Sequence, residues 1–383
     1  MISTTNQTTQ PEEQTLQKPT SNRLLSLDLF RGATMFLLVG ETTSLYHYVL
    51  DYSTEGSLLH SLALQFHHHP WNGLRFWDLV QPFFMFIVGV AMVFSLQKRV
   101  HLPSDWKRVQ KHIFKRCALL FLFGVMLHCV YSGKLVWELW NVLTQLSFTI
   151  LVAFLLFRQS LKTQFIASVG MLVLTEVLYR FVQPEGFEQT FVQGENFGAW
   201  MDIILMGKIN NGGWVTINCL PTAAHTIWGV MVGKILISTR TDNEKLKPLL
   251  IAGIIGLLIG YGLDFSGITP IIKRIATTSF TIVSGGWCLL VLAATYWLVD
   301  VKKARTGIFF FSIVGMNSIF IYLFTQTVGH QWVNDFVAIF SDGIFSWIGL
   351  GENFLAIAGA TLSFGLYWYL CYWLYKHKIF FKV

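Results

Sequence analysis

The sequence predicts an all-α fold, a polytopic transmembrane helix bundle of about ten spans with both termini in the cytoplasm. Three observations carry this reading. Of 383 residues, 53% are hydrophobic and only 13% charged, against about a quarter charged in soluble domains. The apolar residues fall in runs of about 20, the length a helix needs to cross a hydrocarbon core. The basic residues gather in alternate loops, which sets the orientation. Phe and Trp number 33 and 14, and lipid is the natural solvent for so much apolar surface.

Residues 1–22 are polar, rich in Thr, Gln, Glu and Pro, with no apolar core. They read as a disordered cytoplasmic tail and not as a cleavable signal peptide. Residues 23–383 read as a single transmembrane domain. Spans are expected near 26–50, 76–96, 113–131, 138–157, 164–183, 214–238, 247–264, 277–299, 307–328 and 354–376. With the N-terminus inside, 22 of the 28 Lys and Arg fall on inner segments, and Arg75, Lys134, Arg180, Lys208, Lys273 and Arg274 fall outside. The net charge of +7 therefore belongs to membrane-flanking loops and excludes a nucleic-acid surface. The long outer loops, 51–75, 184–213 and 329–353, are where function at that face is expected. The five cysteines lie in or beside apolar runs and form neither a disulfide framework nor a metal spacing.

Polar residues inside spans need a reason. Asp28 and Arg31, three apart near the inner end of the first span, share a helical face and can pair. They read as a polar post at the cytoplasmic mouth or as a structural ion pair. The strongest local feature is Phe66-His67-His68-His69-Pro70-Trp71-Asn72-Gly73, followed by Trp77-Asp78. A histidine oriented by an aspartate is the usual proton carrier near neutral pH; the alternative is a set of interfacial loop residues beside an aromatic belt. Three consecutive histidines cannot converge on one ion, so no metal is expected. Glu41, Glu176, His128 and His225 are further intramembrane candidates. His225 is read as facing a cavity with Asn218 and Thr222. Gly229/Gly233 and Gly256/Gly260 have the spacing of close helix packing and admit a homodimer. Asn317, in Gly315-Met316-Asn317-Ser318, suits either an interhelical hydrogen bond or a ligand in the pore.

Several of these stretches occur together. They are Arg23 to Gly32, Trp71-Asn72-Gly73 with Asp78 and Pro82 to Gly89, Val215 to Asn218 with Gly229 and Gly233-Lys234, Val299 to Lys302, and Gly315 to Ser318. In this order the chain resembles the heparan-alpha-glucosaminide N-acetyltransferase family and its bacterial relatives. The resemblance implies a membrane acetyltransferase of the bacterial cytoplasmic (inner) membrane. It would move acetyl from cytosolic acetyl-CoA, as co-substrate, to an amino sugar of the glucosamine type on the far side. It implies His68 as the catalytic histidine, with His67 and His69 leaving the register open by one, and Asp78 as its aspartate. The catalytic set is thus His68, Asp78 and His69, with the histidine acting as general base or acetyl carrier. Asp28, Arg31, Arg116 and Asn317 are the residues expected to face acetyl-CoA. The chain departs from the family where a functional asparagine is expected late in the first span: Thr42 stands there, beside Glu41. The competing class is a sugar transporter or exporter, which the long outer loops, Glu41, Glu176 and His225 would suit. The absence of a visible internal repeat argues against it.

Overall fold

The computed structural model describes residues 24–100, 102, 104–347, 349 and 351–381. The tail expected over residues 1–22 lies outside the described residues. Among the described residues the chain is helical throughout and contains no strand. The helices are α1 (Leu25–Thr42), α2 (Leu45–Tyr52), α3 (Leu58–Leu64), α4 (Val80–Gln97), α5 (Asp105–Ser132), α6 (Val142–Leu155), α7 (Leu161–Phe181), α8 (Phe197–Met206), α9 (Cys219–Leu236), α10 (Asp242–Phe265), α11 (Thr278–Tyr296), α12 (Ile308–Met316), α13 (Ser318–Phe324), α14 (Asn334–Trp347) and α15 (Glu352–Lys376). Their starts are chemically marked. Asn141, Ser160, Asn196 and Thr277 each accept a backbone N–H of the following first turn. Thr241 and Glu244 form a reciprocal capping box at the start of α10.

Hydrogen bonds define the two ends of the bundle. At one end, Ser26 N–H donates to Asp300 at 3.1 Å, Tyr296 OH to Asp242 at 2.6 Å, and Lys234 Nζ to the Phe157 carbonyl at 2.7 Å. At the other, Asn334 Nδ2 donates to the Thr42 carbonyl at 2.8 Å, Gly73 N–H to the Ile271 carbonyl at 2.8 Å, and Trp140 Nε1 to Asp202 at 2.7 Å. The chain therefore weaves back and forth between these ends. Rows of exposed apolar side chains, such as Phe165, Ile166 and Val173 on α7 and Ile251, Ile255 and Leu258 on α10, face lipid. The fold is a polytopic membrane helix bundle.

Three of the ten expected spans run between the two ends without the length and apolarity of the other seven. Six helices are long and apolar enough to cross a membrane, and the bent pair Ile308–Met316 with Ser318–Trp347, at 73°, raises this to seven. The other three expected spans fall short for physical reasons. Fourteen-residue α6 is only about 21 Å long. Helix α1 carries Asp28, Arg31 and Glu41 within 18 residues. Helix α9 lies in the middle of the protein, with 12 of its residues buried, so it does not need a lipid-facing composition. The expected span 26–50 is two helices, because Ser44 adopts a left-handed φ of 61° that ends α1 and starts α2. Within 329–353, expected as an outer loop, residues 329–347 continue the helix of α13 through α14.

Helices α4 and α9 cross at backbone contact. A Cβ at Gly229 would lie 2.1 Å from the Phe86 carbonyl oxygen, and one at Gly89 would lie 2.1 Å from that of Thr226. Around this crossing pack Phe83, Phe86, Ile87, Val90 and Val232. Gly256 and Gly260 likewise press on α11 at Gly286 and Val283. These glycines pack within the chain, so the homodimer they admitted gains nothing from them.

Replacing Gly229 by Ala forces the α4–α9 crossing apart, and overpacking of this kind costs about 1–3 kcal/mol. A lowered thermal midpoint in detergent is expected. Gly262→Ala, where an added Cβ meets nothing within 4 Å, is expected to leave the midpoint unchanged or raise it. Equal midpoints for Gly229→Ala and wild type would contradict the crossing geometry.

Candidate active site

The site grows from the loop joining α3 to α4. Gly73 sits at φ +135°, a conformation that disfavours any side chain. Its N–H donates to the Ile271 carbonyl, which ties this loop to the one between α10 and α11. Trp71 Nε1 donates to the Phe191 carbonyl at 2.8 Å and ties it to a third loop. A short 3₁₀ turn, Phe76–Leu79, then leads into α4.

Asp78 in that turn organises the loop. Its Oδ2 accepts the backbone N–H of Arg75 at 2.9 Å and of His69 at 3.2 Å. Its Oδ1 lies 3.0 Å from His68 Nδ1 and 3.7 Å from Lys273 Nζ. Arg75 returns a hydrogen bond from its guanidinium to the His68 carbonyl at 2.9 Å. His68 Nδ1 thus lies between the Asp78 carboxylate and the Lys273 ammonium, and its Nε2 has no protein partner among the described residues. The His68 ring meets Trp214 edge to face, with centroids 5.6 Å apart. Lys273 Nζ lies 3.0 Å from the same Nδ1 and 5.4 Å over the Trp214 ring. Burial, followed by the charge of Lys273, pushes the His68 imidazole down to about 4, against the upward pull of Asp78. His68 is therefore neutral at pH 7. Burial also lowers Lys273, to about 8, opposed by Asp78 and Glu41.

His68 faces a cavity of about 730 Å³. At this end the cavity is lined by His68, Trp77, Trp214, Lys273 and Asn210, and at the opposite end by Arg31, Arg99, His112 and Arg116. Between them the wall is largely apolar, with Met35, Leu38, Phe84, Val88, Leu146 and Ile150. A polar strip also runs beside His68. Gln81 donates to Gln145, Gln145 Nε2 donates to Asn218 Oδ1 at 2.5 Å, and Asn218 Nδ2 donates to the Arg274 carbonyl at 3.2 Å.

The expected site residues divide. His68 and Asp78 are in contact, and Arg31 and Arg116 line the cavity. His69 does not line it: only its backbone N–H enters the site, and its ring lies over Gly73. His67 turns back to the Ala63 carbonyl. Asp28 binds Arg31 at 3.0 Å but is not itself in the lining. Asn317 is a correction. Its Nδ2 donates to the Ile379 carbonyl at 3.0 Å and its Oδ1 accepts the Phe381 N–H at 2.9 Å, so it fastens the C-terminal segment at the break between α12 and α13. Its neighbours Gly315, Met316 and Ser318 reach the cavity instead. His225 is a second correction. It is fully buried, its Nε2 bonded to Ser284 Oγ at 2.9 Å, and it joins α9 to α11 away from the cavity. Glu176 pairs with Arg180 at 2.8 Å outside the lining, whereas His128 and Glu41 are in it. Lys273 and Trp214 were missed as site residues. The available signal was Lys273-Arg274 in an outer loop, against the prevailing charge bias.

Fold and site thus define a membrane helix bundle with a His–Asp pair at one end of an internal cavity and a cationic cluster at the other. The sequence profile described as heparan-alpha-glucosaminide N-acetyltransferase, catalytic, matches residues 23–264, and the chain belongs to that family. Heparan-alpha-glucosaminide N-acetyltransferase from Homo sapiens is 25% identical over 94% of this chain, and that from Mus musculus is 24% identical over 98%. The chain spans 60% and 62% of the length of these two relatives.

Removing the cation beside Nδ1 should release His68. In Lys273→Met its folded pKa rises from about 4 towards the ordinary histidine value of about 6.5. The neutral imidazole is then lost at a higher pH as the solution is acidified. Carbethoxylation of His68, which requires the neutral ring, is expected to lose rate at a higher pH in Lys273→Met than in wild type, read by peptide mass. Superimposable profiles would contradict the Lys273–His68 coupling.

Proposed function

We propose that this protein is a membrane acetyltransferase that takes acetyl from acetyl-CoA at the cationic mouth and delivers it to an amino sugar at the His68 end. The single observation that carries the reading is the continuous cavity joining Arg31, Arg99, His112 and Arg116 to His68. The positive-inside bias supports placing the cationic mouth, and with it both termini, on the cytoplasmic side. Membership of an acetyltransferase family supports the reaction class, and a bacterial inner membrane is the setting proposed.

The cationic mouth fits the phosphates of coenzyme A. Arg116 keeps a buried Nε with no hydrogen-bond partner among the described residues, and a guanidinium in that state suits a phosphate oxygen. The apolar middle of the cavity suits the pantetheine arm, which would bring the thioester towards His68.

At the far end the amine must lose a proton as its nitrogen attacks the thioester carbonyl. His68 Nε2 is the base. The C–N bond forms, the C–S bond breaks, and the proton taken by His68 passes to the departing sulfur. Asp78 fixes the Nδ1–H tautomer and stabilises the imidazolium between these events, the role a buried aspartate plays beside a catalytic histidine. If acetyl instead rests on His68 first, the same Nε2 lone pair accepts it.

Purified protein supplied with labelled acetyl-CoA and glucosamine is expected to form labelled N-acetylglucosamine. His68→Ala is expected to lower turnover by about 10²–10⁴-fold, the contribution typical of a positioned general base, and His69→Ala to retain it. Near wild-type turnover in His68→Ala, or vesicle uptake of intact sugar without acetylation, would overturn the proposal.

A further inference from the structure

The cavity lining contains the cations Arg31, Arg99, Arg116 and Lys273 but only one carboxylate, Glu41. Glu41 lies in the last turn of α1, and its side chain is exposed, although the helix is within the bundle. The space it meets is the cavity it lines. Its Oε1 accepts the indole N–H of Trp77 at 3.2 Å. Its Oε2 has no hydrogen-bond partner and the carboxylate makes no ion pair among the described residues. Lys273 acts on it only through space and pairs directly with Asp78 at 3.7 Å.

A carboxylate inside a membrane protein with one N–H donor and no counter-ion is under-satisfied. Charge in such a place needs a partner and most often marks a functional site. The partner must arrive from the cavity, and it must be a cation with N–H donors. The position is close to the reacting group: Glu41 touches Trp77, Trp77 precedes Asp78 in the chain, and Asp78 holds His68. The aromatic walls at this end, Trp77 and Trp214, suit the apolar face of a sugar ring and the π-attraction of an ammonium group.

We infer that Glu41 is the binding group for the ammonium form of the acceptor, and that it selects amino sugars over neutral sugars. The inference rests on the acetyl-transfer reading for the identity of the reaction, but not for the binding itself. One N–H of the ammonium group donates to Oε2, which holds the acceptor nitrogen at the His68 end of the cavity; transfer of that proton to Glu41 leaves the neutral amine, whose further proton His68 takes during attack.

The test is binding, measured by titration calorimetry on the full chain in detergent without acetyl-CoA, using glucosamine and glucose as probes. Wild type is expected to prefer glucosamine by about tenfold or more, the scale of a charge-assisted hydrogen bond. Glu41→Gln keeps the acceptor for Trp77 and should abolish the preference. Glu176→Gln, outside the cavity, should retain it. A preference that survives in Glu41→Gln, or is absent in wild type, overturns the inference. A second measurement needs no variant. The wild-type preference for glucosamine should vanish at a pH high enough to deprotonate the amine of the sugar, and a preference that persists there overturns the inference. Failure of the acetyl-transfer reading looks different: Glu41-dependent glucosamine binding would remain, with no labelled product from acetyl-CoA.

Discussion

A carboxylate with 1% of its side chain exposed needs partners on both oxygens, and Asp78 has them. Two backbone N–H groups, from Arg75 and His69, hold one oxygen, and His68 and Lys273 approach the other. Each partner comes from a piece of chain that has no regular structure to fix it. The loop before α4 is folded around Asp78, and the loop between α10 and α11 reaches it through Lys273. The placing of His68 and the direction of its free Nε2 follow from the same contacts. Loss of the Asp78 carboxylate would therefore release the loop and the histidine together.

The second constraint is room. A cavity running between the two ends of a helix bundle removes packing from the helices around it, and the helices must recover contact elsewhere. They do so at glycines. Gly89 and Gly229 bring α4 and α9 into backbone contact, and Gly32 and Gly315 bring α1 against α12. The helices that bear cavity residues are thus held along their other faces. Helix α1 shows the division most clearly: Met35 and Leu38 line the cavity beside Arg31 and Glu41, while Phe30 and Val39 are buried in apolar clusters.

Much of this was legible in the sequence, and the misses have physical causes. The helical membrane fold follows from apolar runs and loop charge, which are local properties. Asp78 beside the histidine run was visible because ten residues separate it from His68. The choice of His68 over His67 and His69 was open, since consecutive loop residues have no periodicity; only the fold turns one of them to the cavity. Lys273 lies 205 residues from His68, and no local pattern links them. His225 was drawn towards the cavity by its helical spacing from Asn218 and Thr222, and Asn317 by its polarity and its place in the Gly315–Ser318 stretch. Each bonds to another segment, Asn317 through both ends of its amide and His225 through Nε2, the ordinary fate of a polar side chain inside a membrane protein. Three of the expected spans lack the length or apolarity of the others because helices that bear cavity residues, or lie within protein, do not have to be long or uniformly apolar.

The central claim is that one cavity passes acetyl from the cationic mouth to the His68 end. Proteoliposomes with the basic loops facing outward test it most directly. Glucosamine is trapped inside and labelled acetyl-CoA is added outside. The account predicts labelled N-acetylglucosamine within the vesicles, formed without entry of acetyl-CoA. Product that forms only when both substrates are supplied on the same side would contradict it.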